Sequence, residues 1–122
     1  MIAEAILSSG ELSRIWPVPK YQGGSREMIY EIRTYMVKVG SLGEVLNRFG
    51  GCIEKRKELS PLAAFFYTDI GPLNQIIHIW SYESLDERQR IREESTKTDY
   101  WPPKVGEFLI DMKSEIFKPF PF

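Results

Sequence analysis

The sequence predicts an α+β domain of the ferredoxin-like β-α-β-β-α-β type, with one antiparallel sheet. The first observation is the order of patterns: a strand, a helix, two strands joined by a tight turn, a helix and a last strand. The second is a Ser-x-x-Glu helix start at Ser41 and again at Ser84, each placed after a β-rich stretch. The third is the length of 122 residues, which suits one domain with its own core.

The composition is that of a globular chain, and it argues against several classes of function. The chain is 43% hydrophobic and 27% charged, with a net charge of -1, so it lacks the basic excess that nucleic-acid binding needs. No apolar run approaches the roughly 20 residues that span a bilayer. One histidine and one cysteine are too few for an ordinary zinc site, and an unpaired cysteine fits a reducing compartment. We therefore expect no nucleic-acid partner, no membrane span, no metal, no cofactor and a cytoplasmic location.

The first part of the chain, residues 1–27, is predicted to be an N-terminal extension of uncertain role. Pro17 and Pro19 favour extended or turn conformations there rather than a long helix. The domain proper is predicted to cover residues 28–122. Its first strand is predicted over Ile29–Val39, which is rich in β-branched and aromatic residues.

The first helix is predicted to start at Ser41, where Glu44 completes a capping box. Its apolar residues fall at spacings of three and four, its middle is weakened by Gly50-Gly51, and Pro61 ends it.

The next elements are predicted to be a hairpin of two strands, Leu62–Ile70 and Leu73–Glu83, with Gly71-Pro72 in the turn. A second helix is predicted over Leu85–Thr96, with a mostly charged, solvated face. A further helix is predicted over residues 103–112, and a short last strand over Ser114–Phe117.

The alternation of side chains along the first and third strands predicts one apolar face and one polar, aromatic face. We expect Ile32, Ile77 and Ile79 to lie under the helices, which would leave the other face open. This open face would carry the candidate ligand-binding residues, which are Glu31, Arg33, Tyr35, His78, Trp80 and Tyr82. An uncovered aromatic surface predicts a partner, and a two-fold homodimer that packs sheet against sheet is the simplest one.

The chemistry of this constellation leaves three roles open: structure alone, ligand binding and catalysis. Glu31 and Arg33 would satisfy each other as a buried pair. His78 would act as an acid or a base, with its proton position set by Glu31 or Tyr35. Arg33 would hold a carboxylate or stabilise an oxyanion. Cys52 lies beside the apolar side of the first helix and is interpreted as a core or groove thiol.

Two stretches of the sequence resemble the NIPSNAP family. They are Met28-Ile-Tyr-Glu-Ile-Arg-Thr-Tyr35 and Gly71-Pro-Leu-Asn-Gln-Ile-Ile-His-Ile-Trp-Ser-Tyr82, and the resemblance extends to the C-terminal Phe122. It implies a dimeric α/β barrel, in which two ferredoxin-like sheets close around a shared interior lined by the candidate residues. It implies no agreed catalytic residues. Animal members are linked to mitochondria and to adaptor roles, so a mitochondrial location is the alternative if the chain is eukaryotic.

Two functions from different classes follow. The first is a homodimeric binding module for a small, partly apolar ligand or for a protein partner. The second rests on analogy with similar small dimeric barrels: a cofactor-free enzyme, monooxygenase- or isomerase-like, that uses the barrel interior.

Overall fold

Four antiparallel strands form one sheet in the computed structural model, which describes residues 28–121. The strands are β1 (Ile29–Val37), β2 (Leu62–Tyr67), β3 (Gln75–Tyr82) and β4 (Leu109–Phe117). Across the sheet they follow the order β2-β3-β1-β4, so that β3 and β1 are central. The order confirms the predicted ferredoxin-like fold class. The predicted extension, residues 1–27, lies outside the described residues.

The helices of the described part are α1 (Leu42–Gly50), α2 (Ile53–Arg56) and α3 (Leu85–Thr96), with a 3-10 turn at Gly106–Phe108. The second predicted helix is confirmed with its bounds. The first is divided into two, because the backbone at Cys52 leaves the helical region directly after the two weakening glycines (φ -134°, ψ -8°). No helix within residues 28–121 is long and apolar enough to cross a membrane.

The two predicted capping boxes behave differently. The hydroxyl oxygen of Ser84 accepts a hydrogen bond from the backbone N–H of Glu87 at 3.0 Å. Ser41 makes no such bond, and the carboxylate of Glu44 instead accepts one from Arg48 at 2.7 Å. The reason is the backbone: Ser84 is extended, as an N-cap requires, whereas Ser41 is already near-helical (φ -104°, ψ -2°).

The prediction of a helix over residues 103–112 is wrong. After the 3-10 turn the chain enters β4 at Leu109, five residues before the predicted start of the last strand at Ser114. Pairing decides this, because β4 runs antiparallel to β1 along its whole length, from Val37 opposite Leu109 to Tyr30 opposite Phe117. The apolar spacing of this segment suits a helix locally, but the free edge of β1 supplies a full hydrogen-bond ladder.

The hairpin strands are shorter than predicted, since β2 ends at Tyr67 and β3 begins at Gln75. Gly71 and Asn74 in the connection adopt positive φ values of 124° and 63°. Residues in this region of backbone space do not continue a strand, and glycine and asparagine are the types that tolerate it best.

The two faces of the sheet are the reverse of those predicted. The polar, aromatic residues do share one face, but that face packs against the helices. Tyr35 and Ile76, paired across β1 and β3, form a core cluster with Val45 and Phe49 of α1. The other register pairs on this face are Ile29 with Tyr82, Glu31 with Trp80 and Arg33 with His78.

The apolar face lies on the far side of the sheet, opposite the helices. Its apolar cluster consists of Tyr30, Ala64 and Ile79, with Ile32 and Ile77 partly buried against them. Within residues 28–121, the buried members of this cluster all come from strands. The prediction failed because both faces carry enough apolar side chains for a core, so that alternation alone does not say which face the helices cover.

We expect Ser84→Ala to lower the free energy of unfolding by about 1 kcal/mol, because α3 loses a capped N–H at its start. Ser41→Ala is the matched control: it removes the same hydroxyl from a helix start where it makes no cap bond, and its effect should be clearly smaller. Urea denaturation followed by circular dichroism measures both. Equal losses in the two variants would contradict the cap assignment.

Candidate ligand-binding cavity

A cavity of about 250 Å³ lies between the helix-covered face of the sheet and α3. Five of the candidate residues line it: Glu31, Arg33, Tyr35, Trp80 and Tyr82. Further lining comes from the helices, β4 and the segment before it, and includes Phe49, Arg56, Arg92, Ser95, Trp101 and Met112. These residues therefore face the helices of their own chain, whereas the sequence placed them on an open face that a second sheet would cover.

Glu31 is the centre of a network that joins β1, α3 and β4. Its carboxylate accepts hydrogen bonds from Nη1 of Arg33 at 2.9 Å and from Nε and Nη2 of Arg88 at 3.0 Å each. The hydroxyl of Ser114 on β4 donates a further short bond. The side chain of Glu31 is only 1% exposed, so these donors replace water around a buried charge. The predicted pairing of Glu31 and Arg33 is confirmed.

The same network sets the ionisation of Glu31. Burial of the carboxyl raises its pKa, but the hydrogen bonds from Arg88, Ser114 and Arg33 outweigh burial and hold the pKa at about 2. Both carboxylate oxygens are engaged, by two guanidinium groups and a hydroxyl. Glu31 is therefore a permanent anion that anchors cations, and a poor proton acceptor.

His78 is fully buried and does not line the cavity. Its Nδ1 accepts a hydrogen bond from the indole N–H of Trp80 at 2.8 Å, which puts the proton of the neutral ring on Nε2. The rings of Tyr35, Phe49 and Phe65 lie around it, with centroids 5.0 to 5.4 Å away. The partner that fixes the proton is thus Trp80, whereas the sequence suggested Glu31 or Tyr35.

This environment keeps the imidazole neutral. Burial, with a smaller contribution from the positive charge of Arg33, lowers the pKa of His78 to about 3. A ring with this pKa stays uncharged at physiological pH and is a weak base. The structure thus places His78 in the core beside the cavity rather than at its surface.

Arg56, in the last turn of α2, is a buried cation that lines the cavity and is 3% exposed. It donates hydrogen bonds to the hydroxyls of Ser60 at 2.9 Å and Tyr82 at 3.0 Å. Its guanidinium carbon lies 4.4 Å from the ring centre of Trp80 and 5.6 Å from that of Trp101. Its partners within residues 28–121 are therefore neutral hydroxyls and aromatic faces.

Sequence reasoning missed the contributions of the helices to this site. Arg88 and Arg92 lie one turn apart on α3, and the mostly solvated face expected there is wrong for both, because Arg88 contacts Glu31 and Arg92 lines the cavity. A signal was present in the helical spacing of three: Arg88 precedes the buried Ile91 by three, and Arg56 follows Ile53 by three, which puts both beside an apolar position. Arg92 precedes the buried Ser95 by three.

Cys52 lies at the break between α1 and α2 and is 7% exposed. Its thiol contacts the backbone oxygen of Arg48 at 3.6 Å, and burial raises its pKa. The interpretation as a core thiol is confirmed. Within the described residues, no group of three histidine, cysteine, aspartate or glutamate side chains could hold a metal ion.

The fold and the cavity define a small α+β protein whose sheet carries helices on one face and forms a partly open, polar and aromatic cavity beneath them. The sequence profile of the NIPSNAP family matches residues 30–122, and the chain belongs to this family. The resemblance seen in the two central strands is thereby confirmed.

Solved structures and longer relatives place the chain within that family. A NIPSNAP family protein of unknown function from Agrobacterium tumefaciens is 35% identical, with a TM-score of 0.74 over 81% of this chain and 94% of its own. The protein NipSnap homolog of Dictyostelium discoideum is 36% identical over 86 residues, which are 70% of this chain but 39% of that relative. The protein NipSnap of Drosophila melanogaster is 34% identical over 91 residues, 33% of its length. The chain thus spans well under half of these longer relatives.

One more distant structure shows the fold alone. A protein from Nitrosomonas europaea, a candidate antibiotic biosynthesis monooxygenase, has a TM-score of 0.64 at 12% identity. It shares the arrangement of strands and helices with this chain.

We expect Glu31→Gln to lower the free energy of unfolding by about 3 kcal/mol, because Arg33 and Arg88 lose their shared counter-charge. This value is at the low end for a broken buried ion pair, since both guanidinium groups are partly exposed. Glu54→Gln, which removes an exposed ion pair with Lys57, is the control and should change little. Because the folded pKa of Glu31 lies below the unfolded value of 4.5, the difference between wild type and Glu31→Gln should narrow as the pH falls from about 5 towards 2. A difference that is constant over this range would contradict the assignment.

We expect His78 to stay neutral in the folded protein from about pH 8 to about pH 4.5. Its folded pKa of about 3 lies below the unfolded value of 6.5, so acid protonates the unfolded chain first and lowers the free energy of unfolding over this interval. The chain has one histidine, so its imidazole NMR signals are unambiguous. They should show the Nε2–H form and no titration, whereas a midpoint between pH 6 and 7 would refute this placement.

Proposed function

We propose that this NIPSNAP protein is a homodimeric binding protein that takes up a small, partly apolar ligand in the cavity between the sheet and α3. The observation that carries the proposal is the cavity itself. It has the mixture typical of ligand sites, with aromatic walls from Tyr35, Trp80 and Trp101 and a few convergent polar groups. Its volume of about 250 Å³ suits a molecule with a single ring better than a drug-sized one.

Binding explains the polar groups better than catalysis does. A cofactor-free enzyme needs a group that can exchange protons with the substrate. Glu31 is saturated by cationic donors, and His78 is neutral and away from the cavity surface. The enzyme alternative therefore lacks, among the described residues, the base that the sequence suggested for it.

The homodimer is supported by the far face of the sheet. This face combines the strand cluster around Ile79 with Phe66 and Phe117, each of which is 44% exposed. The register puts Phe66 opposite Ile77, and Phe117 opposite Tyr30, on this same face. Exposed aromatic surface of this kind favours an interface, and a second copy of the chain is the partner that needs no other molecule.

We place the protein in the cytoplasm, with a mitochondrial location as the alternative.

Ligand uptake can be tested with single-ring probes of each charge: benzoate, benzamide and benzylamine. We expect at least one of them to change the tryptophan fluorescence of the wild type, because Trp80 and Trp101 line the cavity. Ser95→Leu, which adds bulk inside the cavity, should abolish this response. Glu93→Leu adds the same side chain on the exposed side of the same helix and should preserve it.

Met112→Trp is a second cavity-filling variant and lies on β4 rather than on a helix. It keeps the test decisive if Ser95→Leu does not fold, as judged by circular dichroism. No response to any probe, or a response that both filling variants retain, would refute the proposed binding site.

The dimer is tested by sedimentation of the wild type, for which we expect twice the chain mass of 14.2 kDa at micromolar concentration. Ile77→Glu should weaken the dimer by about tenfold or more, because it puts a carboxylate into an apolar contact. Ile70→Glu is the control, since Ile70 is 91% exposed in the hairpin connection. A monomeric wild type would refute the homodimer and leave a different protein as the partner of this face.

A further inference from the structure

We infer that the ligand of this cavity is an anion with a flat apolar body, such as an aromatic carboxylate, whose charged group is bound by Arg33, Arg56 and Arg92. This inference rests on the proposed ligand-binding function and specifies its substrate class. It follows from an imbalance of charge, from free donors and from the character of the walls.

The residues that line the cavity carry more positive than negative charge. Three guanidinium groups line it, and the carboxylate of Glu31 is the one acidic group in the lining that the described residues provide. That carboxylate is shared with a fourth guanidinium, because Arg88 binds it through two hydrogen bonds. Glu31 can offset one positive charge of this group, so residues 28–121 provide no carboxylate at the cavity for the other positive charges.

Arg56 gives the strongest evidence within that group. A guanidinium that is 3% exposed has lost almost all of its water, and buried charges are normally paired with an opposite charge. The hydrogen bonds of Arg56 go to the hydroxyls of Ser60 and Tyr82, and its Nε has no partner within residues 28–121. An anion in the cavity would supply the counter-charge that residues 28–121 do not provide.

Arg92 and Arg33 add donors on the other walls. Arg92 is half-buried, and its guanidinium makes no hydrogen bond or ion pair with residues 28–121, although its backbone oxygen accepts one from the hydroxyl of Ser95. Arg33 donates from Nε to the hydroxyl of Tyr35 and from Nη1 to Glu31, which leaves Nη2 for a ligand. Glu31 therefore acts as a positioning residue, because it holds Arg33 in place while part of that guanidinium remains free. Guanidinium groups bind carboxylates well because their planar N–H pairs match the two oxygens.

The walls indicate the rest of the molecule. Trp80 and Trp101 lie with ring centroids 5.9 Å apart at an interplanar angle of 77°, and Arg56 lies against both rings. Tyr35, Phe49 and Met112 add further apolar lining. A small inorganic anion would neutralise the arginines but would leave this apolar surface uncovered, whereas an aromatic carboxylate satisfies both.

The experiment is a fluorescence titration near neutral pH with benzoate, its neutral isostere benzamide, the cation benzylamine and inorganic phosphate. We expect benzoate to bind about tenfold or more tightly than benzamide, as one or more charge-assisted hydrogen bonds imply. Benzylamine and phosphate should bind more weakly still. Arg56→Met and Arg92→Met, which keep the apolar stem and remove the charge, should each weaken benzoate binding by about tenfold and leave benzamide binding nearly unchanged.

Arg90→Met is the matched control, because Arg90 lies on the exposed side of α3 and pairs with Glu87. It should preserve benzoate affinity. If Arg56→Met does not fold, Arg92→Met and the ratio of benzoate to benzamide affinity on the wild type still decide the question, since the side chain of Arg92 makes no hydrogen bond within residues 28–121.

The outcomes separate this inference from the proposed function. If benzamide or benzylamine binds as tightly as benzoate, the inference that the ligand is an anion is wrong, while the cavity remains a ligand site. If phosphate binds as tightly as benzoate, the inference that the ligand has an apolar body is wrong. Failure of every organic probe, or binding that Ser95→Leu and Met112→Trp do not block, would overturn the proposed site and this inference together.

Discussion

The ion network of Glu31 is the interaction on which the arrangement of this domain depends. One carboxylate joins Arg33 on its own strand, Arg88 on α3 and Ser114 on β4, so it connects three elements that are distant in the chain. An isolated buried carboxylate would be strongly unfavourable, and this one is stable because two cations and a hydroxyl replace its water. The network is what allows a polar row on the central strands to lie beneath the helices.

Burial of that row also determines the character of the cavity. Since Arg33 and Arg88 share one carboxylate, Glu31 has no capacity left for Arg56 or Arg92, and the cavity keeps a positive character. Trp80 has two roles, because it forms a wall of the cavity and its indole N–H fixes the proton of the buried His78 on Nε2. The histidine, which looks like the most reactive residue in the sequence, is thereby made part of the core.

Membership of the NIPSNAP family establishes the fold of this chain but not its activity. The Agrobacterium relative matches over 94% of its length, so the domain recurs as a unit, while the longer eukaryotic relatives contain it as a part. A fold of this type serves unrelated purposes, and the distant structural likeness to a monooxygenase concerns backbone alone. Function has to be argued from the arginines and aromatic rings that converge on the cavity.

Local signals, namely side-chain alternation and turn residues, were sufficient to predict the order of the paired strands and capped helices and the bounds of α3. Alternation also grouped six residues on one face, which are Glu31, Arg33, Tyr35, His78, Trp80 and Tyr82. The family was recognised from the resemblance of two stretches, residues 28–35 and 71–82. The folded structure was needed to establish which face the helices cover, that residues 109–117 form a strand, and that arginines of α2 and α3 complete the site. The physical reason is that burial of a polar face depends on partners from elsewhere: Arg88 lies 57 residues from Glu31, and nothing local to either residue specifies their contact.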